Sequence, residues 1–145
     1  MWSSAHAAVG GALMIAIPDP VVGGLLAFGS HFVLDYIGET GYNSDKEALA
    51  IETSMIVVYA MAAMTTDIPW LLAWAWIASN LPDLIDKPMK IFFGKESWFS
   101  CHNGKGLLSI NNWKFGYPVV FRLTKTQTIL SNILLTFLFL LICLS

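Results

Sequence analysis

The sequence predicts an all-α, polytopic membrane domain, and three observations carry that reading. Apolar segments recur along the chain, separated by short turns rich in proline, glycine and aspartate. Only 12% of the 145 residues are charged and 56% are hydrophobic, where a soluble domain carries about 25% charged residues. Seven of the eight basic residues fall in one stretch, between the fourth and fifth apolar segments. The mean hydropathy of +0.63 agrees. The net charge of −2 says little, because the basic residues are clustered and their position matters more than their sum.

The first predicted helix covers 5–17, with Ser3 or Ser4 as its cap. It is rich in small residues, including Gly10 and Gly11, which allow close helix approach in a bilayer. It is short for a span, which needs about 20 residues. Pro18-Asp19-Pro20 ends it. A second apolar helix covers 21–37. Gly38 to Asp45 forms a turn, and Ser44 or Asp45 caps a third helix over 46–65 with Glu47 in its first turn. Glu52 lies further along it. A fourth helix, over 69–82, carries Trp70, Trp74 and Trp76 and is expected to stop at Pro82. Residues 86–125 form a polar, partly amphipathic segment, with Phe92, Phe93, Trp98 and Phe99 as an apolar face for the membrane surface. The fifth helix, over 126–144, is the cleanest transmembrane pattern. The chain reads as one domain. The first segment lacks a basic n-region, so no cleavable signal peptide is expected. Cys101 and Cys143 lie in unlike settings and form neither a disulfide framework nor a CxxC site.

Lysine and arginine set the orientation. The positive-inside rule places 86–125 and the Lys46 turn in the cytoplasm. The N-terminus is then cytoplasmic too, in a multi-pass protein of a bacterial-type inner membrane. This topology brings polar residues together. His6 starts the first helix at the cytoplasmic side. His31 and Asp35 stand four apart, on one helical face, at the cytoplasmic end of the second. Asp83 and Asp86 follow the fourth, and His102 lies in the cytoplasmic loop. All three histidines of the chain fall on one side.

Imidazole with carboxylate suits Zn, Mn or Fe(II) better than copper or an iron–sulfur cluster. Six candidate ligands (His6, His31, Asp35, Asp83, Asp86 and His102) exceed the needs of one tetrahedral zinc. One or two ions are therefore expected, and a two-metal centre activates water and clamps the oxygens of a phosphoryl displacement. Each residue also has a plainer reading. His31 and Asp35 serve equally as a hydrogen-bonded pair between helices or as part of a proton path. Asp83 and Asp86 serve as helix stops, and His102 as a solvated loop residue. Glu52 reads alike as a packing residue, a support for a ligand, or a ligand. Nucleotide-binding, serine-hydrolase and HExxH motifs are absent. The basic residues are too few and too scattered for nucleic acid.

AHAAVGGAL, a proline break, LAFGSHFVLDYI, SNLPDLIDKP and a later histidine together resemble small membrane proteins of bacteria and phages grouped as predicted membrane-bound metal-dependent hydrolases. The resemblance covers about residues 5 to 105. It implies a helical membrane protein with a His/Asp metal centre, held by His6, His31, Asp35, Asp83, Asp86 and His102, and hydrolase activity. The sequence departs from that pattern where Gly38 and Glu39 stand in place of a Pro-His pair, and where His102 stands alone in the final motif. The expected function is metal-dependent hydrolysis of a phosphoester, on a lipid or other amphiphile reaching the site along the bilayer. One of Asp35, Asp83 and Glu39 is expected to manage the proton of the attacking water. Lys87, Lys90 and Lys105 are placed to steer an anionic head group. The alternative is a non-catalytic, phage-type membrane protein with a structural His/Asp cluster. A transporter or holin-like pore would need a polar stripe through the whole bilayer, which the outer halves of helices two and four lack. Oligomeric state has no sequence signal.

Overall fold

The computed structural model describes residues 3–35, 37–38, 45–93, 121–122 and 124–145; for 37–38, 45–49, 86–91, 93 and 121–122 it describes the backbone alone. The described residues form five helices: α1 (Ser3–Ala16), α2 (Val22–Asp35), α3 (Asp45–Ala63), α4 (Pro69–Phe93) and α5 (Lys125–Leu144). Two short strands, β1 (Ile37–Gly38) and β2 (Phe121–Arg122), pair in parallel.

Local chemistry explains the helix starts. Pro18 and Pro20 end α1. Between them, the Asp19 carboxylate accepts the backbone N–H groups of Val21 (2.9 Å) and Val22 (2.7 Å), donors that the first turn of α2 would otherwise leave bare. Thr124 and Gln127 form a reciprocal capping box at the start of α5.

The helices run up and down, so several ends meet at one end of the bundle. β1 follows α2 directly and β2 nearly touches the start of α5, so their pairing puts the end of α2 and the start of α5 together. The start of α1 lies there too, because His6 meets Asp35. Glu52, seven residues into α3, joins them by accepting the Ser4 N–H at 3.1 Å. Helix α4 is central to this end through Ser79, which meets His31, and Asn80, whose amide donates to the Ser3 carbonyl oxygen at 3.4 Å. At the opposite end, the Trp74 indole donates to the Pro20 carbonyl at 2.8 Å.

The bundle is packed through small residues. Ala7, Ala8, Ala27, Ala75 and Ala78 are buried in the core with Met14, Leu72 and Phe139. A Cβ on Gly10 would lie 2.8 Å from the Ser79 Cβ, and one on Gly11 would lie 2.5 Å from the Phe139 ring. Large apolar residues face outward, among them Leu25, Val33, Leu130, Leu134 and Leu138. The inward stripe of α5 is instead polar at three successive turns: Thr128, Asn132 and Thr136 are at most 2% exposed. Polar-in, apolar-out is the reverse of a water-soluble surface helix.

Asn132 illustrates what that arrangement costs. Its amide donates to Thr128 of its own helix, but its Oδ1 is buried with no hydrogen-bond partner among the described residues. Asn132→Leu keeps the volume and removes the bare acceptor. It should raise thermal stability by about 1 kcal/mol, measured as an upward shift of the unfolding midpoint.

One sequence expectation is overturned. Helix α4 does not stop at Pro82 but continues through Pro82 and Pro88 to Phe93, so 86–93 is not the start of a separate surface segment. A proline inside a helix costs about 3 kcal/mol from a lost bond and a ring clash. Tertiary ties at Ser79 and Asn80 and the complete burial of Pro82 hold the helix together there. Among the described residues, α5 is the one helix long and apolar enough to cross a membrane; α1, α2 and the 50–63 part of α3 are shorter apolar helices.

Candidate metal centre

Three helix ends place three side chains on one another. Helix α1 contributes His6 from its first two turns. Helix α2 contributes His31 and Asp35 from its last two, where the four-residue spacing stacks them on a single face. The Asp35 carboxylate lies between the imidazoles: Oδ1 is 3.3 Å from His6 Nε2, and Oδ2 is 3.2 Å from His31 Nε2. The imidazole rings stack, with centroids 4.1 Å apart and planes 20° from parallel. Both histidines are fully buried and Asp35 is 8% exposed.

The protonation pattern follows from Ser79. The His31 Nδ1 lies 2.7 Å from the Ser79 carbonyl oxygen. A carbonyl only accepts, so Nδ1 carries the proton and donates it. In the neutral ring Nε2 then holds a lone pair, and that lone pair faces the carboxylate. His31 Nε2 has no aligned hydrogen-bond partner among the described residues. Two electron-rich atoms 3.2 Å apart need a positive charge between or upon them. Stacked rings 4.1 Å apart disfavour charging both imidazoles.

A divalent cation fits this donor set. A metal-bound histidine typically donates its other ring N–H to a backbone carbonyl or carboxylate, as His31 does to Ser79. Ligands about 2.0–2.1 Å from a tetrahedral ion are about 3.3–3.4 Å from each other. The two imidazole–carboxylate separations, 3.3 and 3.2 Å, are close to that edge and longer than a typical charge-assisted hydrogen bond of about 2.8 Å. One donor atom from each of the three residues lies within 4.8 Å of the others. Two imidazoles and one carboxylate leave a fourth tetrahedral position for water or substrate.

The six predicted ligands separate here. His6, His31 and Asp35 come together. Asp83 is buried on α4, one turn past Ser79, and is not one of the three. Asp86 belongs to the α4 backbone, and its side chain lies outside the described residues, as do Glu39 and His102. A second ion would need ligands beyond the three that meet.

Three supports were not fixed by the sequence: Ser79 and Asn80 had no assigned role, and Glu52 had three open readings. The Ser79 carbonyl, which holds His31, is a backbone atom, and no residue pattern signals it. Asn80 bridges α4 to the first turn of α1; a lone asparagine in an apolar helix was the available clue. Glu52 proves to be a cap on α1, accepting from the Ser4 backbone N–H (3.1 Å) and hydroxyl (3.4 Å). A carboxylate there also suits the positive end of the helix dipole. It fixes the turn that carries His6. Glu52→Ala should destabilise the protein by about 1 kcal/mol, lowering the thermal midpoint by a few degrees, and Glu52→Gln should recover part of the loss because an acceptor oxygen returns.

Comparison with protein-family models, with curated proteins and with solved structures gives no match.

Proposed function

We propose that this chain is a membrane-embedded, metal-dependent hydrolase of the predicted membrane-bound type, acting on a phosphoester or amphiphilic substrate. The observation that carries the reading is the convergence of two stacked imidazoles on one buried carboxylate, at 3.3 and 3.2 Å, with His31 Nδ1 committed to the Ser79 carbonyl so that Nε2 is its remaining ligand nitrogen. Membrane embedding is supported by the outward apolar and inward polar faces of α5 and by its length.

In this reading His6, His31 and Asp35 hold one divalent ion, with Zn favoured by the two-imidazole, one-carboxylate set and Mn or Fe(II) as the other candidates. The ion supplies Lewis acidity and activates water. The residues do the rest. Ser79 fixes the His31 ring so that Nε2 points at the site. Asp35 sets the spacing of the two imidazoles. Asp83, buried one turn past Ser79, is assigned the proton released by the attacking water.

The burial of the cluster favours a second reading, a structural ion that locks α1 to α2 with no turnover. One experiment separates the two. Purified protein in detergent is loaded with Zn, Mn or Fe(II) and assayed on phosphomonoesters, phosphodiesters and phospholipids, beside Asp83→Asn. The hydrolase reading expects metal-dependent release of product, reduced at least tenfold in Asp83→Asn with metal content unchanged. Metal binding with no turnover on any of these substrates would leave the structural reading.

A further inference from the structure

A groove lies on the outer surface between α2 and α4. Its volume is about 410 Å³, and its lining is almost wholly apolar. Gly24 and Ala78, both buried, form its floor, and Leu25, Phe28, Trp74 and Leu81 form its walls. The floor is made by close approach: a Cβ on Gly24 would lie 2.5 Å from the Trp74 indole nitrogen. That nitrogen is the one side-chain polar group of those walls, and it donates to the Pro20 carbonyl. The groove therefore asks for hydrocarbon.

Its shape narrows the occupant further. From Val21 to Phe28 it follows about 10 Å of helix axis at 1.5 Å per residue. That length and the unbroken apolar lining match a segment of extended hydrocarbon chain.

Its position gives it a use. The groove runs from the Pro20 turn toward the metal-centre end of the bundle. Phe28 meets Phe32 edge-on at 5.1 Å, and Phe32 meets the His31 ring at 5.8 Å. Ala78 and Leu81 flank Ser79, the residue that holds His31. A chain in the groove would therefore place its polar end beside the cluster. We propose that the α2–α4 groove binds the hydrocarbon chain of an amphiphilic phosphoester and so aligns its head group with His6, His31 and Asp35. This rests on the hydrolase reading for the head group, but the chain site has its own test.

The protein is reconstituted with a phosphatidylglycerol carrying a diazirine on one acyl chain. It is irradiated, the labelled residues are mapped by mass spectrometry, and the metal content of the same sample is measured. Leu134 and Leu138 of α5, apolar and at least as exposed as Trp74, serve as the internal control for ordinary lipid contact. The expected result is at least fivefold more label on Leu25, Phe28 and Leu81 than on the control pair. Leu25→Trp, or Val21→Trp should the first fail to fold, fills the groove from its exposed rim and should abolish that excess with α5 labelling unchanged. Label that simply follows exposed area overturns the proposal, whatever the metal content. Groove labelling without bound metal keeps the chain site but removes its role in aligning a substrate for hydrolysis.

Discussion

Asp35→Asn is expected to abolish any response of this protein to metal and to chelators. The wild-type protein, saturated with an added divalent ion, should lose stability when a chelator is added. A ligand present at about 1,000 times its Kd stabilises the folded state by about 4 kcal/mol, and for a domain of this size each kcal/mol moves the midpoint by about 2–4 °C. The expected fall is therefore on the order of 10 °C. The substitution would keep the shape of the side chain but replace an anion between two imidazoles with a neutral amide. With the charge gone, His6 Nε2 and His31 Nε2 no longer face a carboxylate at 3.3 and 3.2 Å. The variant should unfold at the same temperature with or without metal, and with or without chelator. Thermal melts of the two proteins, each under both conditions, check this. A wild-type midpoint that ignores chelation, or an Asp35→Asn variant that still responds, would contradict the assignment.

Gly10→Ala and Gly29→Ala should move stability in opposite directions, although both add one methyl group to a helix. A Cβ at Gly10 would lie 2.8 Å from the Ser79 Cβ, 3.1 Å from its Oγ and 3.2 Å from the Ala27 Cβ. These are short, stiff groups close to the backbone of α4 and α2, so α1 has to move away. Overpacking of this kind costs about 1–3 kcal/mol. It also displaces His6, one turn earlier, and pushes on Ser79, whose carbonyl holds His31. Metal affinity should fall together with stability. At Gly29 nothing lies within 4 Å of the added methyl. There the alanine gains about 0.5–1 kcal/mol from reduced backbone freedom and should leave metal affinity unchanged. Equal effects of the two substitutions would refute the close α1–α4 contact.

Particular residues show how far the sequence alone reaches. The proline pair around Asp19 sets the end of α1 and the start of α2 by local chemistry, and that chemistry is written in the residues. The four-residue spacing of His31 and Asp35 fixed their common face, and the up-and-down order of the helices brought His6 to them. Pro82 misled because its local preference, a helix end, is outweighed by the ties of Ser79 and Asn80 to α2 and α1. Those ties join residues 48 and 77 positions apart in the chain, and no local pattern encodes them. Glu52 left three readings open for the same reason: its partner, the start of α1, is likewise 48 residues away.

The most direct test of the metal centre is elemental analysis of the purified protein beside His6→Ala and His31→Ala variants. The expected result is about one equivalent of Zn, Mn or Fe per chain in the wild type, lost in both variants, because α1 and α2 each supply a ligand that the other cannot replace. A wild-type protein that holds no metal after reconstitution with all three ions would contradict the assignment, and would leave His6, His31 and Asp35 as a buried polar contact between helices.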